Sequence, residues 1–180
     1  MLNIYDYLDE LQNDIFTLPP YDIERKYYQI CEKLAGTRYA QEINKINMKN
    51  YEKELEDKLN KSIEYLDNYT IRSIYFEYDL DNEWVGQYYL CEEYYNLEDA
   101  DDDWACEWEV CVEGPGLVEF GQIYSAKGGF DDTNVSIGVT IYLITRTVVS
   151  FLNSIKNYEL KIPICIGYHD QDPIMRMKKD

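Results

Sequence analysis

Between Ser73 and Ala126 the chain carries 15 Asp and Glu residues and no Lys or Arg. Unpaired carboxylates buried in apolar surroundings cost several kcal/mol each, on the order of the desolvation penalty of any uncompensated ion. These acids must therefore stay on a surface, while the apolar residues between them find a core. The spacing allows both. Ile74, Phe76, Tyr78 and Leu80 alternate with Ser73, Tyr75, Glu77 and Asp79, the period of two that sends successive side chains to opposite faces of a strand. Asp81-Asn82 supplies a turn, and Trp84 opens a second strand that runs through Tyr94, giving a hairpin. After the polar loop Asn96 to Asp103, the segment WACEWEVCVE sets Trp104, Cys106, Trp108, Val110 and Val112 on a core face and Glu107, Glu109 and Glu113 on an acidic one. Gly114-Pro115-Gly116 turns the chain, and Leu117 to Tyr124 reads as a returning strand.

The flanks are nearly balanced. Residues 1–72 hold 14 acids and 10 bases and residues 127–180 hold 6 and 7, so the middle segment carries −15 of the net −18. In the first third, Ile23, Tyr27, Ile30, Leu34 and then Met48, Tyr51, Leu55, Leu59, Ile63, Leu66 recur at threes and fours, the stripe of an amphipathic helix. Pro19-Pro20 separates a first short helix from the second, and Gly36-Thr37 precedes a long third. In the last third Ile137, Ile141, Ile144, Val148, Phe151 and Ile155 form another stripe, broadened by Val149 and Leu152. Ile162 to Tyr168 reads as a short strand, and Met175 to Asp180 as a fraying tail. The expectation is one α+β domain over residues 1–180, with N-terminal helices, an antiparallel sheet from about residue 71, and one long C-terminal helix packed on the sheet. At 180 residues, a chain buries roughly 70 % of its unfolded surface, enough for a real core.

Several function classes find no support. The opening MLNIYDYLDEL has acids where a signal peptide needs bases, so no export is implied and a cytoplasmic location is expected. Val135 to Leu152 is near the lower length limit for a bilayer span and contains Arg146, so it reads as a buried helix with no membrane partner. Five cysteines without a CxxC pair suggest reduced thiols, neither a disulfide framework nor a zinc ribbon. Phosphate binding requires a Lys/Arg surface, so direct nucleic-acid binding is not expected. His169 is the single histidine, and no P-loop, GxGxxG, HExxH or GxSxG pattern occurs. Asp101-Asp102-Asp103 with Glu107 and Glu109 offers hard oxygens for Mg²⁺ or Ca²⁺, but the spacing matches no EF-hand loop. Glu159-Leu160-Lys161 has the spacing of some nuclease motifs without a basic surface beside it. No cofactor and no catalytic residue is assigned.

What remains is a carboxylate field interleaved with rings, and the candidate partner-binding residues are Glu92, Glu93, Tyr94, Tyr95, Glu98, Asp99, Asp101, Asp102, Asp103, Trp104, Glu107 and Glu109. Acids steer a cationic partner, and rings supply anchoring contacts once desolvated. A solubilising face is the plain alternative, although solubility alone is met as well by scattered charge. The acidic Tyr/Trp-rich block, the DDDWACEWE segment, and the closing helix followed by IPICIGYHDQDP resemble the small cytoplasmic immunity proteins of bacterial polymorphic and contact-dependent toxin systems, in character over residues 71–173. The resemblance implies an inhibitor that binds one cognate toxin domain tightly and carries no catalytic residues, without identifying the toxin; the acidic surface adds the expectation that the toxin is basic, a nuclease as the leading case. Two other readings are a phage-type DNA mimic that occupies a host nuclease and a metal-dependent hydrolase using Asp102, Asp103, Glu107 or His169.

Overall fold

The computed structural model describes residues 3–179. Six helices and a five-stranded sheet form an α+β fold in which the long helix packs on the sheet. The helices are α1 (Ile4–Thr17), α2 (Pro20–Ala35), α3 (Thr37–Asn44), α4 (Lys49–Ile63), α5 (Val118–Ala126) and α6 (Asn134–Ile155). The strands are β1 (Ser73–Asp79), β2 (Val85–Cys91), β3 (Trp108–Glu113), β4 (Ile164–Tyr168) and β5 (Met175–Arg176), in spatial order β3-β2-β1-β4-β5. Local signals set the helix starts. Asn3 and Asp6 form a reciprocal capping box at α1, Pro20 occupies the first turn of α2, and the Thr133 hydroxyl accepts the Ser136 N–H at α6.

α6 is the core. From Ser136 to Phe151 every residue is buried, because the sheet covers one side and the N-terminal helices the other. It is the one described helix long and apolar enough to cross a membrane, and most of that stretch is enclosed by the protein's own elements. On the sheet side Phe151 stacks on Phe76 with ring centroids 5.3 Å apart. On the helix side Arg146 donates to Glu24 at 3.0 Å and to the Ile43 carbonyl, which satisfies the one cation in the stretch. Thr140, Thr145 and Thr147 return their hydroxyls to backbone carbonyls, so the polar atoms are bonded internally.

Several expectations change, among them the second strand, which spans Val85–Cys91 and not Trp84 to Tyr94. The sheet is mixed, because β1 and β4 run parallel. β3 and β1 both oppose β2, and α6, about 33 Å long at 1.5 Å per residue, carries the chain back across the sheet so that the next strand runs their way. Leu117 to Tyr124 is helical: Leu117, Phe120, Gly121 and Tyr124 are buried at helical spacing, and Gly121 sits where a Cβ would lie 3.0 Å from the Glu83 backbone. A short extra helix, α3, separates Gly36 from the long helix. The tail does not fray: Met175 and Arg176 pair with β4, and Met177 is buried, while Asp180 lies outside the described residues.

Trp84 stands in the β1–β2 turn and not in the strand. Glu83 and Trp84 both adopt left-handed backbone with φ of 53° and 59°. That strain is held by the indole, which is fully buried and donates to Thr147 Oγ1 at 2.9 Å. Beside it, Gly86 and Gly114 lie against the Phe76 ring, and a Cβ at Gly114 would fall 2.9 Å from both that ring and the Gly86 backbone. Gly114→Ala is expected to lower the unfolding free energy by about 1–3 kcal/mol through overpacking. Gly116→Ala, whose nearest new neighbour is the Val85 side chain at 3.3 Å, is expected to cost less, with urea denaturation as the measurement.

Candidate functional site

The two sheet faces are covered differently. Ile74, Phe76, Tyr88, Ile164 and Ile166 face the helices, whereas Tyr75, Cys91 and Cys165 face a second, smaller cluster completed by Trp104 and Ile174. The lid over that second face is the acidic loop between β2 and β3, which includes the one-turn 3₁₀ helices Leu97–Asp99 and Asp103–Cys106, together with the chain entering β5. An acidic loop over a buried face requires a cation, and Arg176 supplies it.

The Arg176 side chain is 2 % exposed and the Asp102 side chain 13 %. Arg176 Nη2 donates to Asp102 Oδ1 at 2.7 Å and to the Tyr95 carbonyl at 3.0 Å, and Nη1 donates to the Ile174 carbonyl at 2.6 Å. Asp102 also accepts the Ile174 N–H at 2.6 Å and the Trp104 indole N–H at 3.1 Å. The guanidinium lies 5.6 Å from the Tyr94 ring centroid and 5.3 Å from that of Trp104. Burial pulls the Arg176 pKa down and the Asp102 bond lifts it, with the net shift upward. Gln12 of α1 closes the arrangement, accepting the Arg176 N–H at 2.7 Å and donating to the Arg176 carbonyl at 2.9 Å.

This divides the twelve candidate residues into two groups. Asp102 and Trp104 are parts of the clamp, and Tyr94 is half-buried over it, so these three hold the loop in place. The expectation that Asp102 is an exposed steering charge is thereby corrected. Glu92, Glu93, Tyr95, Glu98, Asp99, Asp101, Asp103, Glu107 and Glu109 are exposed. Of these, Asp101 and Asp99 also fold the loop: Asp101 accepts the Asp103 N–H at 3.0 Å and Asp99 the Asn96 N–H at 3.0 Å.

Trp108 is the residue that sequence reasoning misplaced. A bulge between β2 and β3 sets Trp108 opposite Cys91, while Val110 opposes Leu90. The extra residue turns Trp108 off the helix-facing side, and strict alternation over WACEWEVCVE fails there. The indole is 47 % exposed and rests on Tyr89, with ring centroids 5.4 Å apart. Cys106 and Cys111 are exposed too, against the core placement expected for Cys106.

A second acidic surface was not read from the sequence. Glu77, Asp99, Asp101, Asp103, Asp170 and Asp172 rim an open depression of about 740 Å³ whose floor includes Tyr75 and Ile174. His169 stands at its edge with Nδ1 3.2 Å from Glu77 Oε1, a hydrogen bond that raises its pKa. Asp102 and Asp103 line the same depression as His169, while Glu107 lies outside it. Among the described residues no group of three His, Cys, Asp or Glu is placed to hold a metal ion.

Among the described residues Asp102 is the only acid of the 73–126 block ion-paired to an Arg or Lys. Where the loop meets β3, the Glu92 N–H donates to the Glu107 carbonyl at 3.1 Å, and the Glu109 carboxylate beside it, with the nearby Glu107 and Glu93 charges, raises the Glu92 pKa. Comparison with known protein families, characterised proteins and solved structures gives no match, so geometry and chemistry carry the functional reading.

Two expected outcomes follow from the clamp and the crowded acids. Arg176→Met leaves the Asp102 carboxylate buried without its counter-ion and is expected to cost about 3–5 kcal/mol. Adding Asp102→Asn should recover part of this, and hydrogen exchange over residues 96–103 should rise in Arg176→Met and fall back in the double variant. Glu92→Gln acts in the other direction. Because the folded-state pKa of Glu92 lies above its unfolded value, the folded protein loses stability as pH rises through it. Glu92→Gln should therefore melt at a higher temperature than the parent at pH 7, with the gain vanishing in the acid range where Glu92 is already protonated.

Proposed function

We propose that this protein is an immunity-type inhibitor, cytoplasmic, that binds and neutralises a basic partner, a toxin domain with a nuclease active site as the leading case. The observation that carries the reading is the unneutralised acidic surface held on a clamped loop. Folding gains nothing from crowding Glu92, Glu107 and Glu109, since like charges at short range oppose the compact state. A cationic partner turns the same crowding into attraction. Nuclease active sites are basic because their substrate is phosphate, and an inhibitor of one needs the charge pattern found here.

Exposed rings supply the second ingredient. Tyr95 and Trp108 stand beside the acids, each partly supported by the fold, and Tyr95 donates its hydroxyl to Glu93 at 2.7 Å. Supported rings lose little conformational freedom on binding and anchor an interface once dry. The acids then set the rate of encounter and the rings the lifetime of the complex.

Capture from the native host, followed by surface-binding kinetics at two salt concentrations, tests this. Glu92→Gln/Glu109→Gln should slow association, with the effect shrinking as salt shortens the Debye length toward about 8 Å at 0.15 M. Trp108→Ala should leave association alone and speed dissociation, at a cost of about 2 kcal/mol for an interface hot spot. Failure to recover any basic protein at low salt would sink the reading, as would unaltered kinetics in both variants.

A further inference from the structure

The two edges of the sheet are finished differently. At β5, Gln12 of α1 occupies the Arg176 N–H and carbonyl with its side-chain amide, so that edge is capped. At the opposite edge, among the described residues, β3 pairs with β2 alone. Gly114 N–H donates to the Gly86 carbonyl at 2.8 Å, which fixes the phase of the antiparallel ladder. By alternation Val112 and Val110 turn their backbone groups toward β2, and Cys111 and Glu113 turn theirs out of the sheet. Glu109, Cys111 and Glu113 are exposed along this edge.

An open edge is a template for a further strand, and proteins commonly blunt it with Lys, Pro or a covering element. WEVCVE contains neither Lys nor Pro. Its only deterrent is Glu, and that deterrent is selective. If a second copy paired antiparallel about Cys111, Glu109 of each copy would stand opposite Glu113 of the other, like charges across a strand pair. Two chains of net charge −18 would also have to meet. An extended segment bearing Lys or Arg meets the reverse situation: its backbone pairs with Cys111 and Glu113 while its cations reach Glu109, Glu113 and the Glu92 and Glu107 charges beyond.

We propose that β3 is a strand-addition edge, to which the basic partner contributes an extended segment with alternating cationic side chains. Trp108, which the bulge sets on the same face as Cys111 and Glu113, is placed to stack against a cationic side chain of that segment. The proposal rests on the reading of a basic partner and adds to it a backbone mode of recognition, in which ladder hydrogen bonds hold the segment and the glutamates choose its charge.

The probe is a capped Lys-Val-Lys-Val-Lys-Val peptide, together with an analogue N-methylated on the valines and another N-methylated on the lysines, so that whichever edge faces β3 is blocked in one of them. Hydrogen exchange on the full protein at peptide saturation should slow at least tenfold at the Cys111 and Glu113 amides, and one N-methylated analogue should bind at least tenfold more weakly. Cys111→Pro removes an outward N–H without touching the β2 ladder, and should weaken the unmodified peptide to the same degree while its circular dichroism stays that of the parent. The N-methylated analogues keep the test decisive should Cys111→Pro misfold. Equal binding of all three peptides, with no protection at Cys111 and Glu113, overturns strand addition and leaves a purely electrostatic partner surface standing. No binding of any peptide at low salt also overturns it, whereas loss of the basic-partner reading would appear separately, as failure to capture a basic protein from the host.

Discussion

The burial of α6 is the constraint on which the rest of the structure depends. A helix whose residues from 136 to 151 are all buried has no solvent face to offer, so something must be packed on every side of it. The N-terminal helices and the sheet are that packing, and the sheet in turn has its other face left over. A central strand such as β1 is then buried on both sides, with Tyr75 and Phe76, which face opposite ways, both buried. The acidic loop and the C-terminal segment are the material from which the second cover is made.

Covering an apolar face with an acid-rich loop creates an electrostatic problem that a single cation resolves. Arg176 is surrounded by carbonyls of Tyr95 and Ile174, the Asp102 carboxylate, and two aromatic faces, and with Gln12 on its backbone it joins α1, the acidic loop and the C-terminal segment. A lysine has no planar fork with which to reach these acceptors at once. Because Asp102 is satisfied here, its neighbours Asp101 and Asp103 project outward from a fixed backbone. The clamp thus converts a run of three aspartates, which in isolation would repel and disorder, into a shaped surface.

Much of this architecture was legible in the sequence because it rests on periodicity. The stripe from Ile137 to Ile155 gave α6, and the alternation from Ser73 to Leu80 gave β1, since local spacing decides both. Leu117 to Tyr124 was misread because a short apolar segment between turn residues satisfies either period, and the deciding contact, Gly121 against Glu83, is tertiary. Parallel pairing of β4 with β1 depends on a crossover that no local pattern records. In the candidate site, composition located the acidic block but could not separate Asp102 from Asp101. Their difference is made by Arg176, 74 residues away in sequence. Trp108 escaped for a related reason: one bulged residue reverses the faces, and WACEWEVCVE carries no glycine to announce it.

The division of labour among the acids follows from how each is paired. Asp102 faces a fixed guanidinium inside the protein, so its interaction is already complete in the free state and offers nothing further to a partner. Glu92, Glu107 and Glu109 face one another, so the free protein carries their repulsion as a cost to its own folding. A cation arriving from outside gains the attraction and also removes that cost, whereas a neutral surface gains neither. Groups that fold badly together in isolation are in this way better recognition elements than groups that fold well. The sheet edge carries the same asymmetry in backbone form, because Cys111 and Glu113 turn their backbone groups away from β2, where a strand of opposite charge would meet them.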